Sequence, residues 1–360
     1  MQGRKDMNTR SYGIDLLKSV SMLMIVVLHV LGVGGILSAA GQGSAAGNAA
    51  WFLETANICA VNCFGLVSGY VLCKGNYRRS RIVSLWLRVV LESLLITAAF
   101  ALFLRGSDTS NDWLNVFTPV IHNVYWYFTA YFALFFFVPY INKMLNSLSN
   151  REAAGLAISV VVIFVFVGNC LNKDIFFLHG GYSFIWLLCL YILGACLRRV
   201  EIKEKFNKYI FLFGFLVCVT AAWALMQLFS APIIIAYTSP FILLAAVLLL
   251  LYFRRLKFTS QKSHKFISML ARTSFGVYII HTHPLVWGHL LTDRFVLYLK
   301  YPIPVTLTLV ILTAAGIYSV CTLGDWLVEK FLKLVRIDIL EKAVDNIGKN
   351  RRKPQNTLQK

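Results

Sequence analysis

The chain has 360 residues, 58% of them hydrophobic and only 14% charged, with a mean hydropathy of +0.68, too few polar side chains to clothe a soluble domain of this length. Its net charge of +19 is scattered through short segments between apolar runs, which excludes the single basic face of a nucleic-acid-binding domain. Apolar runs of about 17–25 residues, each able to cross a ~30 Å hydrocarbon layer, recur to the end, so the expected fold is an all-α, polytopic transmembrane helical bundle.

Ten spans are expected, at 13–37, 51–73, 82–104, 120–145, 153–171, 182–197, 209–228, 232–252, 270–291 and 303–328. The first run exceeds the core of a secretory signal and carries polar residues that such a core avoids, so it reads as an uncleaved span. Loop charges set the orientation. Of the 35 basic residues, 29 fall at the termini and in alternate loops such as "KGNYRRSR" and "RRLKFTSQKSHK", and four fall in the opposite set. Both termini are therefore expected in the cytoplasm. Residues 1–330 read as a membrane-embedded domain, and 331–360 as an amphipathic, basic tail along the inner membrane surface. None of the eight cysteines forms a CxxC or a Cys/His cluster with metal spacing, so no metal is expected.

Ionisable residues inside spans are costly and usually tied to function. The first span, "GIDLLKSVSMLMIVVLHVLGVGG", holds Asp15, Lys18 and His29. Eleven helical steps separate Lys18 from His29, about 20° past three full turns and ~16 Å along the axis, so the two share a face. Asp15, one turn before Lys18, is expected to pair with it. A snorkelling lysine and a histidine hydrogen-bonded between helices would explain the same residues without catalysis.

The third span, "SLWLRVVLESLL", places Arg88 and Glu92 at i, i+4, either a mutually satisfied pair or a phosphate ligand near the cytoplasmic side. The fourth opens with "HNVYWYFTAY", holding His122, Tyr125, Trp126, Tyr127 and Tyr131. This is either an interfacial aromatic belt or a surface on which a sugar ring stacks. In "HTHP" of the ninth span, His281 and His283 point to different faces, and His281 is the deeper candidate to meet His29; a packing histidine is the alternative.

These patterns together resemble the acyltransferase-3 family of integral-membrane acyltransferases, bacterial proteins that O-acylate surface glycans. "IDLLKSVSMLMIVVLH" is similar to its opening signature, a basic residue separated by ten residues from a histidine, although that basic residue is usually arginine and here is Lys18. "VNCFGLVSGYVL" carries Phe64, Ser68, Gly69 and Tyr70, and "YRRSRIVSLWLR" resembles the basic loop. "YWYFTAYFALFFFVPYINKML" brings Trp126, Tyr131, Pro139 and Asn142; "YILGACLRR" and "SFGVYIIHTHPLV" follow, the latter with Ser274, Tyr278 and His281. The resemblance covers roughly 10–325.

The resemblance implies a cytoplasmic acyl-CoA donor, most simply acetyl-CoA, with its phosphates held by Lys18, Arg78, Arg79, Arg81 and Arg88. It implies an extracytoplasmic or lipid-linked glycan acceptor meeting Trp126, Tyr131, Ser68 and His122, and a bacterial cytoplasmic membrane as the location. Histidine suits proton removal from a hydroxyl near neutrality, so His29 is expected as general base, with Lys18 and His281 as further catalytic residues. A covalent acyl-histidine is the variant. His281, Ser68 or Tyr131 is expected to steady the oxyanion or orient the sugar. A polytopic transporter or flippase is the competing class.

Overall fold

The computed structural model describes residues 10–41, 43–75, 77–104, 110–168, 174–201 and 207–350. Arg4, Lys5, Arg105, Cys170, Lys173, Lys203, Lys205 and the tail 351–360 lie outside the described residues. Among those described, every regular element is helical.

Helix α1 (Tyr12–Leu31) ends in a glycine-rich turn closed by Gly35 at φ 85°, a left-handed conformation that favours glycine. The first span thus stops short of residue 37, and a separate turn of helix covers Ile36–Ala39. The chain returns through α2 (Ala45–Ile58), started by Ser44, whose hydroxyl accepts the Gly47 N–H at 2.9 Å. After a kink at Cys59 it continues as α3 (Ala60–Leu72), so that 45–72 forms one long crossing.

Helices α4 (Ser80–Phe103) and α5 (Trp126–Ser147) follow. A capping box between Ser149 and Glu152 starts α6 (Asn150–Val160), whose apolar stretch continues to Val167. Helices α7 (Phe184–Arg199), α8 (Tyr209–Phe229) and α9 (Pro240–Arg254) come next, then α10 (Gln261–His281), α11 (Ile303–Leu334) and α12 (Ile337–Asn350).

Eight stretches among the described residues are long and apolar enough to cross a membrane. Two of the ten expected spans differ. Helix α7, with 16 residues, is about 24 Å long, and α10 opens on a polar turn containing Gln261, Lys262 and His264. Nor is 270–291 one helix. It breaks after His281 because Pro284 disfavours helical geometry in the residue before it, and His283 is extended at ψ 134°. Beyond α11 the chain turns at Arg336 (φ 55°) into α12.

Helices α3 and α7 meet most closely, and small residues allow it. A Cβ on Gly69 would collide with the Tyr191 backbone, and one on Gly194 with that of Leu66. Helix α1 packs against α2, α3, α10 and α11. One end of the bundle, its basic end, gathers Arg78, Arg79 and Arg81, Arg198 and Arg199, and Arg254 and Arg255 at helix starts and ends.

Candidate functional site

A cavity of about 420 Å³ runs along α1. Lys18, Met22, Ile25, His29 and then Gly32 and Val33 line it, a spacing of three to four residues that marks a single helix face. The opposite wall descends from Glu54 and Ile58 on α2 through Val61 and Phe64 to Ser68 on α3. The cavity therefore has a basic-end floor beside Lys18 and Ser68, an opposite end beside Val33 and Glu54, and His29 between them. Trp126 and Tyr131 of α5 complete the wall, so five of the expected site residues share one space.

The environment of Lys18 differs from expectation. Asp15 turns to Arg10, with Arg10 Nε donating to Oδ2 at 2.5 Å. The expected Asp15–Lys18 ion pair is not formed, because Arg10 just outside the helix reaches the carboxylate first. Lys18 makes no salt bridge among the described residues and stays at the cavity floor, in the fields of Asp15 and Arg88.

The two histidines expected to meet do so. His29 Nδ1 and His281 Nε2 lie 2.8 Å apart, and His281 Nδ1 lies 2.5 Å from the Val277 carbonyl. A carbonyl oxygen only accepts, so His281 carries its proton on Nδ1 and offers the Nε2 lone pair. His29 must then donate from Nδ1, which leaves its own Nε2 unprotonated. Trp287 meets the His29 ring edge-on, with centroids 5.2 Å apart at 83°, and fixes its tilt. His281 is fully buried and lies outside the cavity lining. It orients His29 and, with both nitrogens engaged, is not a donor for an oxyanion. His283 is used elsewhere: its Nδ1 accepts the Leu285 N–H at 3.2 Å and its Nε2 faces Thr97 Oγ1 at 3.4 Å.

Ser68 Oγ donates to the Phe64 carbonyl at 2.9 Å, so its proton is taken. Tyr131 is the remaining oxyanion candidate, with no acceptor for its hydroxyl proton among the described residues. His122 is exposed, bonded to Thr118 Oγ1 at 2.8 Å, and lies outside the cavity.

The expected cation cluster divides. Arg78, Arg81 and Arg88 line a second cavity of about 490 Å³ at the basic end, together with Lys333 and Ile337. Leu85 lines both this cavity and the one holding His29. Arg79 turns instead into an apolar groove between α4 and α5 beside Trp86 and Phe136, because adjacent helical residues point in different directions. Arg78 Nε donates to Asp345 Oδ2 at 3.0 Å, a carboxylate that also accepts the Ser80 N–H and hydroxyl at 3.0 and 2.9 Å. Arg88 pairs with Glu92 at 3.2 Å and also with Asp325 of α11, both carboxylates being fully buried.

Sequence reasoning missed Asp325, Glu54, Tyr182, Tyr237 and Trp287. A carboxylate inside an apolar run is a signal for the first two. The three aromatic residues carry no signal beyond their type.

The acyltransferase domain of the acyltransferase-3 family matches residues 11–323. No curated protein and no solved structure matches the chain. Its several long apolar helices make it a multi-pass membrane protein, and its match to that domain makes acyl transfer its chemistry. The family model runs from α1 into α11 and contains both histidines and every lining residue of the cavity that His29 faces: the chain belongs to the acyltransferase-3 family.

Proposed function

We propose that the protein transfers an acyl group, most simply acetyl, from cytoplasmic acyl-CoA to a hydroxyl of an extracytoplasmic or lipid-linked surface glycan in a bacterial cytoplasmic membrane, with His29 as general base. One observation carries this reading: an imidazole whose tautomer leaves Nε2 free lines a cavity that extends toward the basic end on one side and an aromatic end on the other.

The donor's phosphates meet Arg78, Arg81, Arg88 and Lys333 in the basic cavity. Its thin acylated arm passes Leu85, the residue common to both cavities, and Lys18 at the floor. Arg79 stands apart from this route and is not counted among the donor's ligands. At His29, Nε2 removes the proton of the acceptor hydroxyl as the oxygen attacks the thioester carbonyl carbon. The C–S bond breaks, the thiolate takes the proton from Nε2, and an ester and free CoA result. The His29 Nδ1–H bond to His281 persists throughout and stabilises the imidazolium formed in between. Lys18 has the charge of the family's usual arginine without the planar fork, so it acts as a point charge.

The test is purified protein with acetyl-CoA and membranes carrying the surface glycan. Wild type should esterify the glycan and release CoA in equal amounts, and His29→Ala should lose about 10²–10⁴-fold at unchanged protein level. Ester formation by His29→Ala at the wild-type rate would end the assignment.

A further inference from the structure

The reaction as described uses the basic half of the cavity and leaves the other half without a task. We propose that Glu54 orients the acceptor. Its carboxylate accepts hydrogen bonds from hydroxyls beside the one acylated, while Trp126, Tyr182 and Tyr237 hold the face of the sugar ring, so the site takes a neutral sugar and disfavours an acidic one. This rests on the acyl-transfer reading of the cavity.

Glu54 lines the cavity from α2, at the end away from Lys18. It makes no ion pair or hydrogen bond among the described residues, and its Oε2 is buried without a partner. Helix α2 itself holds no basic residue. A carboxyl group inside a membrane span is costly unless something satisfies it, and here a ligand has to do so.

The neighbouring rings define that ligand. Trp126 and Tyr182 have centroids 4.7 Å apart, Tyr182 and Tyr237 4.9 Å, and Trp126 and Tyr237 lie nearly parallel at 18°. All three rings open helices, or stand just before them, at the end opposite the basic one, and the backbone fixes them. Asn62, fully buried, donates to the Tyr237 carbonyl at 2.8 Å and accepts from Trp186 Nε1 at 3.0 Å. The Tyr237 N–H donates to the Gly180 carbonyl at 3.1 Å. Gly181, at φ 107°, lets the Tyr237 ring approach where any Cβ would collide. A rigid aromatic wall beside an unpaired carboxylate matches a ring with an apolar C–H face and hydroxyls at its edge. A second carboxylate on that ring would be repelled.

Two measurements on the full chain in lipid nanodiscs test this. Saturation-transfer NMR with methyl glucoside and methyl glucuronoside should favour the neutral sugar about fivefold or more, and Glu54→Gln should erase that preference. Equal binding of the neutral and acidic sugars overturns the proposal. In acyl transfer, Glu54→Ala should raise the KM for the glycan about tenfold or more, Glu54→Gln should recover part of this, and the KM for acetyl-CoA should move less than twofold. A glycan KM that stays put, or both KM values rising together, also overturns it. Loss of all acyl transfer by wild type with the sugar preference intact would instead remove the acyl-transfer reading and leave the sugar contact standing.

Discussion

Two polar clusters lie within the bundle, and they differ in what they leave open. Arg88, Glu92 and Asp325 form an ion-paired group in which one guanidinium joins two fully buried carboxylates from α4 and α11. His29 and His281 form an open one, in which a carbonyl fixes every proton except the one that Nε2 of His29 has yet to receive. An ion-paired cluster ties helices together, whereas a cluster with one vacant nitrogen beside a cavity is equipped for chemistry. The difference lies in what each group ends on, since both are buried and both cross between helices.

The two clusters should therefore fail differently. His29→Ala gives the largest change, in rate and not in folding. Arg88→Ala should cost about 3–5 kcal/mol by stranding two buried carboxylates, read as a fall in Tm and in the yield of folded protein. Adding Glu92→Gln and Asp325→Asn should restore most of it. If single and triple variants prove equally stable, the cluster does not hold α4 to α11.

His281→Ala should lower kcat about a hundredfold by letting the His29 ring swing, with the KM for acetyl-CoA unaltered and Tm within a few degrees. A matching loss in folded protein would move His281 into the tying class. Leu85→Trp sharpens the comparison from the donor side: a bulky ring between the two cavities should raise the KM for acetyl-CoA about tenfold and leave sugar binding as it was. Unchanged donor kinetics would rule out passage at Leu85.

Asp345→Asn has the smallest expected effect, a loosened α12 read as faster proteolytic cleavage within 337–350. The Ser80 N–H, and then the Arg78 guanidinium, hold the Asp345 carboxyl below its ordinary range. Its contribution is thus present above that range and lost only as pH falls through the lowered value, so α12 should stay docked at about pH 5. Release at that pH would contradict the assigned contacts.

Much of the open cluster was legible in the sequence. Helical geometry alone put Lys18 and His29 on one face, and depth alone chose His281 over His283. What was not legible depends on assembly. Asp15 looked like a partner for Lys18 until Arg10 proved closer, and Arg79 looked like its neighbours until the helix turned it away. Asp325 and Glu54 were visible as carboxylates in apolar runs, but only the packed bundle gives one of them an arginine and the other none. The Trp126–Tyr182–Tyr237 wall joins three helix starts far apart in the chain, and no local spacing reports such a meeting. The break after His281 was written in Pro284, and it fixes where that ring ends up.

The Val277 carbonyl behind His281 has a further consequence. A catalytic histidine backed by a carboxylate leans on a group that itself titrates, whereas this one leans on the peptide backbone, which neither charges nor releases a proton between acid and alkaline conditions. The tautomer is therefore a property of the helix and not of the solution. In the proposed reaction, the proton that His29 accepts departs only by the nitrogen through which it came, a revolving door between an alcohol and a thiol.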